Sequence, residues 1–359
     1  MNFTFLKTNT SRKALKITTC LLLSLLASNL FAQEDKTVSS HKLHFGLIYP
    51  VSSNGTHAPL DTNDFSFHLI AGISAAERGV AFAGLSNVVR NDTKGFLLAG
   101  FSNHIGKQAN GGLFSGFLNT YKGGQVFALG GFANISPGNI QGAQFSGFMN
   151  LAAHAKGSQF AGFINKAKDV NGAQIAGFIN IAKKVKGVQF AGFMNVADSS
   201  DYPIGIINLV KNGEKSISLT TDETLTTLLS FRSGGRVLYG IIGLGYNFKN
   251  ADEVYAFEAG LGAHLFKSNS FRLNAEVSGV GLESFKAGEY MKTSLRLLPA
   301  LKISKNLEIF GGPSFNYLNT TTAEGRSLNK KYVTSWENKW GNNFQALYIG
   351  YSGGLQYIF

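Results

Sequence analysis

Cysteine is all but missing from this chain. Its 359 residues include one, Cys20, which falls within the first 32 residues. The remainder therefore has neither disulfides nor thiolate chemistry. Proline occurs six times, and charged residues make up 15% of the chain, against roughly 25% in an ordinary soluble domain. Few prolines and few charges argue against disorder. After the N-terminal segment no apolar run is long enough for a spanning helix, which needs about 20 residues. No phosphate loop, nucleophile elbow or zinc spacing occurs. What is abundant is glycine, 43 residues, and phenylalanine, 30. Together these features favour β-structure.

Residues 1–32 read as a secretory signal. Lys7, Arg12, Lys13 and Lys16 precede an apolar stretch from Ile17 to Phe31, and Ala32 marks the expected cleavage point. Cys20 lies near the start of that stretch, where lipidation is not expected. Cleavage leaves 29 basic against 21 acidic residues, a net of +8. This excess suits solvated turns, or attraction to anionic lipid or surface polysaccharide. Nucleic acid is not expected as a partner of an exported chain.

The central third repeats itself. "GAQFSGFMN", "GSQFAGFIN", "GAQIAGFIN" and "GVQFAGFMN" begin at Gly142, Gly157, Gly172 and Gly187. With that glycine as position 0, position +2 is Gln144, Gln159, Gln174 and Gln189. Position +5 is always glycine, +6 phenylalanine, +8 asparagine and +10 alanine. Weaker copies reach back to Gly79, and the central glycines recur every 15 or 16 residues. This is a repeat array. Recurrent glycine and aromatic residues suit a short strand better than a helix, and every charge between 140 and 198 lies in a connector.

Two arrangements would shield such strands. In a β-solenoid each unit is one coil, and coils stack in parallel about 4.8 Å apart. In a membrane barrel each unit is one strand, and successive units alternate in direction. Near-identity of the units favours the stack, because barrel turns on opposite sides of a membrane would diverge. Stacking also explains polar residues within an apolar phrase. Each amide donates to one neighbour and accepts from the other, so a column is satisfied except at its ends. The recurrent asparagine also suits a corner in the left-handed region. A bend at the +5 glycine would turn the +3 and +6 aromatics both inward; a straight strand would leave one column outside, needing a cover.

The repeats, with the closing unit Tyr202-Pro203-Ile204-Gly205-Ile206-Ile207-Asn208-Leu209-Val210-Lys211-Asn212-Gly213, resemble the surface-repeat proteins of Gram-negative cell envelopes. The likeness covers roughly residues 66–250. It implies an envelope or surface location and no defined activity.

From about residue 215 longer alternating runs take over: 224–234, 236–248, 254–266, 271–285, 290–304, 307–319 and 345–359. They read as an antiparallel meander, and seven or eight strands suffice for a small barrel filled by side chains. In the last run Ile349, Tyr351, Leu355, Tyr357 and Phe359 share one face, and small or polar residues share the other. This resembles the terminal strand of an outer-membrane barrel; the edge of a soluble sandwich is the alternative. The polar stretch 320–344 carries Trp336 and Trp340 and reads as an external loop or an interfacial anchor.

The expected fold is all-β. Residues 1–32 are a signal, 33–65 a lead-in, 66–213 a β-solenoid-like array of 15–16-residue repeats, and 214–359 an antiparallel β-meander or small barrel. The alternative is one large antiparallel outer-membrane barrel. The expected role is non-enzymatic, at the outer membrane or cell surface: structural, adhesive or binding. Rival roles are a pore or transporter, and a barrel enzyme acting on lipid. No catalytic, cofactor or metal residue is assigned. The pair His41 and His44, and the calcium-loop-like Asp61-Thr62-Asn63-Asp64, are too incomplete to assign. His154 and Asp169 fall in one connector column. His104, His264, and the carboxylates Glu283 and Glu289 form no motif.

Overall fold

A computed structural model describes residues 39–286, 288–338 and 343–359, without the side chains of 39–42 and 338. The expected signal and Trp340 lie outside the described residues. The fold is a parallel β-solenoid of about ten turns followed by a closed antiparallel eight-strand barrel.

Repeat stacks on repeat in strict register. Gln144 pairs with Gln159, Gln159 with Gln174, and Gln174 with Gln189, all in parallel. The asparagines follow the same rule on the shorter strand of each coil. The alternative of one large antiparallel barrel is thereby overturned, since successive units run in the same sense. The stack also begins before residue 66: Ser39–Ile48 pairs in parallel with Asp61–Ser74. A hairpin to Val51–Ser52 and a 3-10 turn at Gly55–Leu60 fold over this first coil and shield its edge.

Two glycine columns permit the stacking. Gly142, Gly157, Gly172 and Gly187 have φ of +124°, +131°, +139° and +123°, a region that L side chains rarely adopt. At the second column, a Cβ on Gly162 would collide with the carbonyl oxygen of Gly147, and one on Gly177 with that of Gly162. The chain does bend at this second glycine, but not as expected. Ala161, Ala176 and Ala191 at +4 point inward, while the aromatics at +3 and +6 both point outward. Phe148, Phe163 and Phe178 are 38%, 40% and 37% exposed. In the coils where glutamines stack, the core leaves no room for a column of phenyl rings; Tyr121, before the first glutamine, is buried in it. The core there is filled instead by Ala152, Ala155, Ala167, Val170, Ala182 and Val185.

The amides form two continuous columns. Asparagine bonds run from Asn87 through Asn103, Asn119, Asn134, Asn150, Asn165, Asn180 and Asn195 to Asn208, each at 2.8–3.0 Å. From Asn103 to Asn180 each asparagine also ties two coils by their carbonyls: Asn165 Nδ2 donates to Gln159 O and Ile175 O at 3.1 and 2.7 Å. These asparagines are not in the left-handed region. Outside glycine, positive φ among the described residues occurs at Leu225 and Phe285. The glutamine column runs from Gln189 to Gln144 and ends on the Tyr121 hydroxyl at 2.7 Å. Its open end is Gln189 Oε1, which has no partner.

The barrel follows directly. Lys215–Asp222 precedes the first of the seven expected runs and closes the sheet by pairing with Asn343–Ile358. The described residues of 320–338 form more than a plain loop. They hold a short helix, Ala323–Ser327, and a strand, Thr334–Asn338, which lies along Asn343–Ile358 and carries Trp336.

Asn165→Ala is expected to destabilise the solenoid by about 3 kcal/mol, since buried polar groups left unpaired cost about 1–3 kcal/mol each. Urea unfolding followed by circular dichroism measures this; a loss under 0.5 kcal/mol would refute the role given to the column.

Candidate functional site

Three places concentrate polar or apolar chemistry. The first is the barrel lumen. Along Tyr290–Lys302, residues Lys292, Ser294 and Arg296 are buried, while Met291, Leu295, Leu297 and Leu301 are exposed. The same alternation runs along the neighbouring strands. The inward charges pair with one another. Arg232 grips Glu276 through Nε at 2.8 Å and Nη2 at 3.2 Å, and Tyr239 donates to the same carboxylate at 2.9 Å. Arg296 meets Glu258 at 2.6 Å, whose other oxygen accepts from Ser230. Arg272 bridges Glu308 and Glu214, and Lys292 pairs with Asp222.

These pairs sit in low dielectric, where attraction is strong and an unpaired charge is costly. Apolar side chains pack among the charges toward both ends. Leu228, Val280, Leu282, Tyr290, Leu318, Leu328 and Tyr348 pack at one end, and Leu298, Ala300 and Phe310 at the other. The space left among Ser216, Arg232, Tyr239 and Asn274 is about 10 Å³, the order of one water molecule.

The second place is a buried cluster under the N-terminal hairpin. Glu77 accepts from Asn63 at 3.1 Å and from Ser66 at 2.8 Å. His44 meets Ser52 at 3.0 Å and packs edge-on against His68. Burial pushes the Glu77 carboxyl up to about 7. Burial, with His44 beside it, holds His68 down to about 4. Of the calcium-loop-like residues, Asn63 joins this cluster, and the four form no loop. Asp61 opens a strand and is buried, Asn63 bonds Glu77, and Asp64 is exposed. His44 is brought to His68, and the His41 side chain lies outside the described residues.

The third place is the outer surface of the solenoid. His154 and Asp169 do meet, at 2.8 Å, in a polar groove with Gln141, Lys156, Asn171 and Lys186. On the adjoining face the +6 rings from Phe101 to Phe193 stack with centroids 4.8–5.0 Å apart. The remaining candidates stay apart. His104 bonds Thr120 at 2.8 Å, and His264 faces the lumen against Asn274. Among the described residues no three metal-ligating side chains converge.

Comparison with known proteins finds no match to a family model, to a curated protein or to a solved structure.

Sequence reasoning missed the lumen network. Its signal was present: Arg272, Asn274 and Glu276, then Lys292, Ser294 and Arg296, occupy one parity of runs whose other parity is largely apolar. It also missed the Glu77 cluster, whose members come from three coils and show no spacing.

Glu276→Ala strands Arg232 without a carboxylate in the lumen, while Arg296 keeps Glu258, and is expected to cost about 3–5 kcal/mol; thermal unfolding in detergent reads it, and a neutral result would refute the pairing. Glu77 has its folded pKa raised, so its contribution is full below about 4.5 and is lost as pH rises through about 7. Glu77→Gln is therefore expected to remove about 2–3 kcal/mol of stability loss between pH 5 and 8, seen in urea midpoints of variant against wild type. Lowered His68 adds the opposite slope below about 6.5 in both proteins.

Proposed function

We propose that this chain is a non-enzymatic outer-membrane protein: the barrel spans the bilayer and the solenoid is a binding surface held at its rim. One observation carries the reading, the inversion of the barrel. Its charges are inside and paired, and its exterior is a wall of exposed side chains that includes Leu219, Leu244, Phe257, Leu295, Ile309 and Leu355. Water disfavours such a wall, and hydrocarbon favours it. No helix among the described residues is long and apolar enough to cross a membrane, so crossing falls to the strands. The envelope-protein likeness of the repeats agrees with this location.

The rival roles find less support. A filled, ion-paired lumen gives a solute no path, which argues against a pore. A lipid-acting enzyme needs its nucleophile and base together on the outer wall, whereas His264 faces the lumen.

The barrel ends differ, which bears on orientation. Turns at the solenoid end are short: 235–237, 268–270 and 303–306. Connections at the far end include 248–254, 284–289 and 321–342. Outer-membrane barrels keep short turns on the periplasmic side and longer loops outside. The solenoid then stands in the periplasm, and binding there is favoured over adhesion at the cell surface.

Cys20 is the only cysteine, so single cysteines report topology cleanly. With Lys331→Cys in the long connection and Lys156→Cys on the solenoid, a polymer-linked maleimide too large for porins is expected to label only the first on intact cells. Both should react once the outer membrane is permeabilised. Labelling of Lys156→Cys on intact cells would place the solenoid outside and favour adhesion. Failure of Lys331→Cys to label on intact cells, with the protein in the soluble fraction after lysis, would sink the membrane reading.

A further inference from the structure

Between the two outward aromatic ranks runs a trough. One wall is the +3 rank, including Phe114, Leu129, Phe145 and Phe160. On the other side the exposed, stacked +6 rings follow each floor glycine directly in sequence and border the trough. The floor is the backbone of Ala99-Gly100, Ser115-Gly116, Gly130-Gly131, Ser146-Gly147 and Ala161-Gly162, small residues of which Ala99, Ser115 and Ala161 are buried, so no large side chain stands in the way. Parallel coils about 4.8 Å apart make eight such steps roughly 40 Å long.

Three features say what fits it. The wall rings cover each other's faces: Phe145 and Phe160 lie 4.7 Å apart at 1°, and Phe132 and Phe148 lie 4.9 Å apart at 4°. Only ring edges remain free, which suit hydrocarbon and offer no face for a sugar to stack on. Beyond the +3 wall, across a row that holds Phe96, Ser158 and Val188, Lys94, Lys156 and Lys186 stand four positions before Leu98, Phe160 and Phe190 on the same strands, the last two lysines lining the polar groove. They are placed for an anionic headgroup. The trough also ends on the barrel wall. Gly205 and Ile206 of the last coil press their carbonyls against Gly240. Gly240 pairs with Leu261 and is followed on the outer face by Ile242 and Leu244. The apolar floor and the apolar exterior are one continuous surface.

We propose that the trough binds the acyl chains of anionic phospholipid, laid along the solenoid axis, and exchanges them with the membrane leaflet at the short-turn end of the barrel. This rests on the barrel spanning a bilayer. The test uses the full chain in vesicles of phosphatidylethanolamine and phosphatidylglycerol, with a trace of phosphatidylglycerol bearing a diazirine on its acyl chain. After illumination, peptide mapping is expected to find adducts both on the barrel exterior and on the 143–163 segment.

Adducts on the barrel alone would overturn the trough and leave the membrane reading standing; adducts on neither would overturn both. Phe148→Asp with Phe163→Asp places charges on exposed positions of one wall. It is expected to cut solenoid adducts about tenfold, a difference of about 1.4 kcal/mol in affinity, with barrel adducts unchanged. Unchanged solenoid adducts in that variant would refute the proposal, as would wild-type cross-links showing a second copy of the chain seated in the trough.

Discussion

Every coil of the solenoid occupies the same environment as the one before it, and the rest of the structure depends on that equivalence. A lone buried amide is a liability in an apolar core. In a stack it becomes a link, because the next coil offers the complementary atom at hydrogen-bond distance. Asn165 shows the economy of this arrangement: one side-chain nitrogen joins the next asparagine and two backbone carbonyls. Beside the stacked glutamines the remaining interior takes alanine and valine, while the coils before them admit Leu97, Leu113 and Tyr121. The phenylalanines stand on the surface in both kinds of coil.

The barrel meets the same problem by a different route. Its interior is also polar, but neighbouring strands run in opposite directions and present different residues, so no column forms. Satisfaction comes instead from opposite charges on facing strands, such as Arg232 with Glu276 and Arg296 with Glu258. A column tolerates repetition and requires it. A charge lattice requires each partner in one place, which is why the C-terminal third shows alternation and no repeat.

This difference governs how much could be read in advance. The solenoid was legible because parallel stacking imposes a fixed period on glutamine, asparagine and glycine alike. The outward-facing last strand was legible from parity alone. The direction of the bend at the second glycine was not, because parity shows that a turn is needed and not which way it swings. Tertiary volume decided it, since rings and amide columns compete for one narrow core. The Glu77 cluster was hidden for a related reason. Asn63, Ser66 and Glu77 approach across coils whose lengths depart from fifteen, so no periodic signal marks them. Strand Lys215–Asp222 was passed over because its inward positions are Ser216, Ser218 and Thr220, with a charge only at its last residue, Asp222.

Both ends of a column need partners, and how each is met shapes the molecule. At the N-terminal end the hairpin and the histidine–glutamate cluster replace the amide ladder altogether. At the other end Asn208 donates to the Ser233 carbonyl at 3.1 Å, and its own backbone N–H donates to the Ser233 hydroxyl at 2.9 Å. Ser233 lies on the outer side of the barrel, so the asparagine column is terminated by the barrel wall itself. That join fixes the last coil against the exterior near Gly240, and it is the reason the aromatic face and the barrel face meet. The same hydrogen bonds that complete the ladder thus bring two apolar surfaces into line. A solenoid tethered by a flexible linker would have no such continuity.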